Sequence, residues 1–141
     1  MATLLDERKA IARRITEEAW NKGDLRLIDE LFAPDFVDHN PHGGTSRDRE
    51  GYKSFIRQVR EAFPDLQNKD EDLIAEGDKV VSRWTTRATH RGDWMSVPPT
   101  GRQVLGTGII IWRIVDGKVV ERWNNYDALG LLRQVGMDVP G

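Results

Sequence analysis

The chain has no cysteine, which excludes a disulfide framework and any thiolate metal site and makes a reducing cytoplasm the expected compartment. It has no basic excess either: Lys and Arg number 21 against 23 Asp and Glu, for a net charge of −2. With the arginines scattered rather than clustered, the electrostatic footprint of a nucleic-acid binder is missing. No apolar run approaches membrane-spanning length, so no membrane partner is expected. The N-terminus, M-A-T-L-L-D-E-R-K, follows its short apolar piece at once with charges, unlike a signal peptide. Repeats, low-complexity tracts and linkers are absent, so residues 1–141 are expected to form a single domain. Histidines number three, and His39-x-x-His42 is loose loop spacing for a metal, so no metal site is expected.

What the chain does contain is a change of hydrophobic period. From about Leu5 to Trp20, the residues Ile11, Ala12, Ile15 and Ala19 form a helical stripe that Asn21-Lys22-Gly23 ends. Asp24 then opens a second short helix through Leu25, Ile28, Leu31 and Phe32, stopped by Ala33-Pro34. Asp35 to Gly44 reads as a short extended segment running into a turn, with His39 on the same side as Val37 and His42 left to solvent. The strongest periodic signal is a third helix from Ser46 or Arg47 to Phe63, with Tyr52, Phe55, Ile56, Val59 and Phe63 on one face.

From Leu66 onward the period is two. Gln67 to Glu76 is a charge-rich strand suited to a sheet edge. Lys79 to about Arg91 follows, with Val80, Ser82, Trp84, Thr86, Ala88 and His90 on the face expected inside, because the other face carries the arginines. The connection Gly92–Gly101 holds Trp94, Met95 and Val97, apolar residues that need something to rest on: a pocket under a flap, the loop's own domain or a second subunit. Gln103 to Val115 is apolar on both faces around Ile109–Trp112, as in a central strand or one under a dimer contact. Asp116-Gly117 marks a tight hairpin into a last strand, Lys118–Tyr126. Helices followed by a meander of strands argue an α+β fold, a curved antiparallel sheet wrapped around N-terminal helices. Such a fold leaves a hollow in which a small apolar molecule binds.

The last strand carries the candidate chemistry. Val119, Glu121, Trp123, Asn125 and Asp127 share one parity, and that mixture of carboxylate, indole and amide suits a polar-lined pocket better than a plain core. Asp127 has two readings. It precedes A-L-G-L-L-R-Q-V-G, whose Leu131, Leu132 and Val135 fall at helical spacing, so it fits the N-cap of a final helix. It also has a functional reading, as a general base at the mouth of a cavity, though the pattern alone favours the cap.

Three stretches, W-N-K-G-D-L-R-L-I-D-E-L-F-A-P-D-F-V-D-H-N-P, R-W-T-T-R-A-T-H-R-G-D-W-M-S-V-P-P-T-G-R and I-W-R-I-V-D-G-K-V-V-E-R-W-N-N-Y-D-A-L-G-L-L-R-Q-V-G, resemble the SnoaL-like polyketide cyclases of the nuclear transport factor 2-like superfamily. The resemblance spans almost the whole chain. It implies a cone-shaped α+β barrel, a homodimer formed through the outer sheet surface, and an apolar cavity. It also implies aldol ring closure without metal or organic cofactor, begun by an aspartate at the end of the last strand. Asp127 matches that place in W-x-x-x-D. On this reading His39, His90 and Asn125 are hydrogen-bond partners, Trp84, Trp94 and Trp123 are cavity walls, and Tyr52 and Phe55 border the ligand. The chain departs from the pattern on its penultimate strand, where G-T-G-I-I-I-W-R-I-V has no histidine and His90 is the available substitute. The fold also hosts non-catalytic binding dimers and epoxide hydrolases; the latter would need Arg122 between Glu121 and Asp127.

Overall fold

The computed structural model describes residues 2–137. Helix α1 (Leu4–Arg14) starts at a reciprocal cap, in which the Thr3 hydroxyl accepts from the Asp6 amide and the Asp6 carboxylate accepts from the Thr3 amide. The helix expected to run unbroken to Trp20 widens at Ile15 into one π-helical stretch, Ile15–Trp20. Ile15 and Ala19 are buried there, while Thr16 and Trp20 face a hollow. Helix α2 (Arg26–Leu31) stops one residue early, because Phe32 already belongs to strand β1 (Phe32–Asp38). Helix α3 (Arg49–Ala62) is capped by Asp48, whose carboxylate accepts from the Gly51 amide at 2.9 Å.

Strands β2 (Gln67–Glu76), β3 (Lys79–Thr89), β4 (Gln103–Val115) and β5 (Lys118–Tyr126) form the expected meander, and α4 (Ala128–Gln134) closes the described chain. The sheet order is β1-β5-β4-β3-β2. It is mixed rather than antiparallel, because β1 pairs with β5 in parallel. A hairpin forces antiparallel pairing only on strands it joins directly; most of the chain separates β1 from β5, so either direction was open. The sheet is also open, with β1 and β2 as its edges.

The helices pack on one face of this sheet. One core cluster joins Ile15, Ile28, Phe32, Tyr52, Ile56 and Trp112, and a second joins Phe63, Leu66, Trp94, Val104 and Leu131. Trp20 and Phe55 pack against both, so the two clusters meet at those rings. The opposite face of β4 is not covered: Ile110 and Trp112 are buried, whereas Ile109 is 52% exposed.

Two strands each carry an extra residue that decides what faces the helices. In β5, Val119 pairs with Ile114 but Glu121 pairs with Arg113, leaving Val120 as a bulge. In β2, Asp70 pairs with Trp84 and Asp72 with Arg83, leaving Glu71 as another. A bulge of one residue reverses the in–out alternation beyond it.

Candidate active site

Between the π-helical turn, α3 and the inner face of the sheet lies a hollow with about 880 Å³ of empty space, its mouth included. Its walls are rich in aromatic rings, among them Trp20, Tyr52, Phe55, Trp84, Trp94 and Trp112. Trp84 reaches across β4 because Gly108 offers no side chain there; a Cβ at that position would meet the indole at 2.4 Å. Its Nε1 then donates to Asn124 Oδ1 on β5 at 3.2 Å. Trp94 lies on the Gly92–Gly101 connection, which folds back through paired Trp94 and Val97 backbones, and its buried Nε1 has no partner among the described residues.

The polar groups of the hollow come from the two bulged strands. Beyond the Val120 bulge, Arg122, Asn124 and Tyr126 point inward. Arg122 is 2% exposed. Its Nη1 donates to both carboxylate oxygens of Asp38, at 2.9 and 2.8 Å, and to the Asn40 carbonyl at 3.2 Å. Its guanidinium carbon lies 5.0 Å from the Tyr52 ring centre and 5.7 Å from that of Phe55, so both rings contribute attraction to the buried cation. Tyr52 is fully buried, and loss of hydration pushes its phenol up to about 12 despite the opposing Arg122 charge. Its oxygen accepts from Trp20 Nε1 at 2.9 Å.

Before the Glu71 bulge, β2 turns Asn68 and Asp70 inward. Asp70 is the one carboxylate among the described lining residues. Its Oδ1 accepts from Ser82 Oγ at 2.5 Å and Thr16 Oγ1 at 3.1 Å. No hydrogen bond reaches its Oδ2 among the described residues. The site thus offers an acceptor-rich carboxylate on one side and a buried guanidinium beside a neutral phenol on another.

Of the residues singled out in the sequence, Tyr52, Phe55, Trp84 and Trp94 line the hollow. The others stand elsewhere. The Val120 bulge turns Glu121, Trp123 and Asn125 to the opposite face, because Arg122 and Asn124 alternate with them. His39 joins that outer group, stacked on Trp123 with ring centres 4.8 Å apart and bonded to Glu121 Oε1 at 3.2 Å. It does so because β1 buries Phe36 and Asp38 and leaves Val37 exposed. His90 is fully buried but outside the lining; its Nδ1 meets Thr100 Oγ1 at 3.0 Å and it closes the base of the Gly92–Gly101 connection. The Glu121–Arg122–Asp127 set for epoxide opening is not assembled, since Glu121 pairs with Arg113 and Arg122 with Asp38. His42, expected in solvent, is half-buried between Phe55 and Trp94, with ring centres at 5.1 and 4.9 Å, and burial lowers its pKa.

Asp127 is exposed and outside the lining. Its Oδ1 accepts from the Gly130 amide at 2.8 Å, which makes it the N-cap of α4. Replacing Asp127 with Ala is therefore expected to lower stability by about 1 kcal/mol, read from urea unfolding. Asp127→Asn, which keeps an accepting oxygen, should unfold like the parent. A loss of several kcal/mol on Asp127→Asn would mean that its charge, not its cap, matters.

Asp70, Arg122, Asn124 and Asp38 escape a reading of the sequence by strand parity. For Asp38 a signal was present, since it shares parity with the larger apolar residue Phe36. For the others the bulges conceal it.

The model of the SnoaL-like polyketide cyclase family matches residues 10–135. The nogalonic acid methyl ester cyclase of Streptomyces nogalater is 30% identical over 124 residues, covering 84% of this chain and 90% of that protein. The aklanonic acid methyl ester cyclase of Streptomyces peucetius is 30% identical over 146 residues, covering 99% of this chain and 95% of its own. Among solved structures, TsrD from Streptomyces laurentii superposes with a TM-score of 0.86 at 31% identity, over 96% of this chain and 98% of that one.

Proposed function

The chain belongs to the SnoaL-like polyketide cyclase family, and from that premise we propose that it closes a ring within a polyketide ester by general acid–base catalysis. The observation that carries the reading is Asp70, the one carboxylate among the described residues that line an aromatic-rich hollow. The substrate is a carbon acid in which the reacting carbon lies between two carbonyl groups. Such a carbon gives up its proton to a carboxylate because the resulting charge spreads over two oxygens.

In this mechanism Asp70 Oδ2 removes that proton while Ser82 and Thr16 hold Oδ1 and fix the direction of the carboxylate. The enolate carbon then attacks a ketone carbon of the same molecule, forming the carbon–carbon bond and leaving an alkoxide. The proton held on Asp70 returns to that alkoxide, so the product is an isomer of the substrate and nothing else is consumed. The aromatic walls fold the substrate so that its two carbons approach, which supplies the orientation that an unaided chain lacks. Trp84, fixed over Gly108 by its bond to Asn124, is the flat surface for that folding.

The test uses the compounds named for the relatives, aklanonic acid methyl ester and nogalonic acid methyl ester, incubated with the purified protein in deuterated water. The expected result is a chromatographically distinct product, altered in mass only by deuterium gained from solvent. Recovery of both esters with neither ring closure nor deuterium above the protein-free control would overturn the proposal.

A further inference from the structure

We propose that Arg122 and Tyr52 together hold an acceptor oxygen of the substrate in the hollow, so that the molecule must present a carbonyl or an ionised oxygen there. The inference rests on the small-molecule reading of the hollow above and adds the group that orients the ligand within it.

Arg122 is a buried cation whose hydrogen bonds are lopsided. All three leave through Nη1, toward Asp38 and Asn40. Its Nε is buried with no partner among the described residues, although the side chain lines the hollow. A guanidinium offers five N–H donors in a fixed plane, and a buried donor left unmade costs free energy that an arriving acceptor recovers. Asp38 supplies the counter-charge, so a neutral ketone oxygen is as acceptable a partner as an anion. A hydrocarbon is not.

Tyr52 adds a second donor. Its oxygen already accepts from Trp20 Nε1, and burial keeps the phenol protonated. The hydroxyl proton has no acceptor among the described residues, and the ring borders both Arg122 and the hollow. The Arg122 Nε and the Tyr52 phenol proton, on residues 2% and 1% exposed and neither with an acceptor among the described residues, thus stand beside each other in the lining of the cavity. A purely structural Arg–Asp pair needs neither the free Nε nor the free phenol proton.

The test compares 2-acetonaphthone with 2-isopropenylnaphthalene, two ligands of nearly the same shape that differ in a carbonyl oxygen against a methylene, with 2-naphthoate as a third arm. Dissociation constants come from calorimetric titration of the wild-type protein, Tyr52→Phe and Arg122→Lys. The ketone is expected to bind at least about tenfold more tightly than the alkene to the wild type, the scale of a hydrogen bond to a charged donor. Each variant should shrink that ratio, while a structural role alone would lower melting temperature and leave the ratio intact. Tighter binding of naphthoate than of ketone would assign the site to anions; the reverse would assign it to neutral carbonyls. Equal binding of ketone and alkene by the wild type, or a ratio unchanged in both variants, overturns the inference. Asp70→Asn separates the two readings. If it loses turnover and the wild type shows no ketone preference, the inference alone falls. If the preference stands and Asp70→Asn turns over normally, the choice of base alone falls.

Discussion

Asp70→Asn is expected to lower kcat for ring closure by about 10³-fold, the middle of the range that a positioned general base contributes. The substitution keeps an oxygen for Ser82 and Thr16 to donate to, so the β2–β3 pairing and the helix contact should survive. Only the ability to take a proton is removed. Deuterium uptake at the acidic carbon should fall in parallel, which distinguishes a failed proton transfer from a misfolded cavity, and the ketone-to-alkene binding ratio should stay near the parent value. A rate within about threefold of the parent would place the base elsewhere. Asp127→Asn is the control, because that carboxylate caps α4 away from the hollow.

The largest stability effect is expected at Asp38. Changing it to Ala strands the Arg122 guanidinium, 2% exposed, without its counter-charge. Breaking a buried pair from one side costs about 3–5 kcal/mol, because the remaining ion has lost both water and partner. Urea unfolding should register this as a lower midpoint with little change in slope. Asp38→Leu combined with Arg122→Met should recover much of the loss, since apolar residues of similar size replace an ion pair at little cost. A decrease below about 1 kcal/mol for Asp38→Ala would show that water reaches the guanidinium or that Tyr52 and Phe55 alone support it. The double variant separates stability from recognition, as it should fold well and still show a smaller ketone preference than the parent.

Much of the architecture was readable from period alone. The boundaries of β2, β4 and β5 follow from Gly77, from the Gly101 turn and from Asp116-Gly117, whose φ angles of 50° and 75° are those the tight hairpin requires. The inner face of β3 was legible because its other side carries Arg83 and Arg87, which gave Trp84 its correct side. The direction of β1 was not legible, because nothing local ties it to β5. The site was legible only in part, for a narrower reason. Parity counts residues, and it fails wherever a strand holds one more residue than its partner. Glu71 and Val120 look like ordinary strand residues, with neither a glycine nor a proline to announce them. For Asp127 both readings were available in the sequence, and the structure shows the cap, with Oδ1 accepting from the Gly130 amide.

Val120 therefore has an importance that its own contacts do not suggest. It works as a phase shift: left unpaired, it lets the strand present a guanidinium, an amide and a phenol to the ligand side. Were Val120 paired one for one with β4, the segment beyond it would turn over and offer Glu121, Trp123 and Asn125 instead, turning a donor-rich chamber into an acidic one. The chemical character of the interior is thus governed by which strand residue goes unpaired as much as by which residues the strand holds.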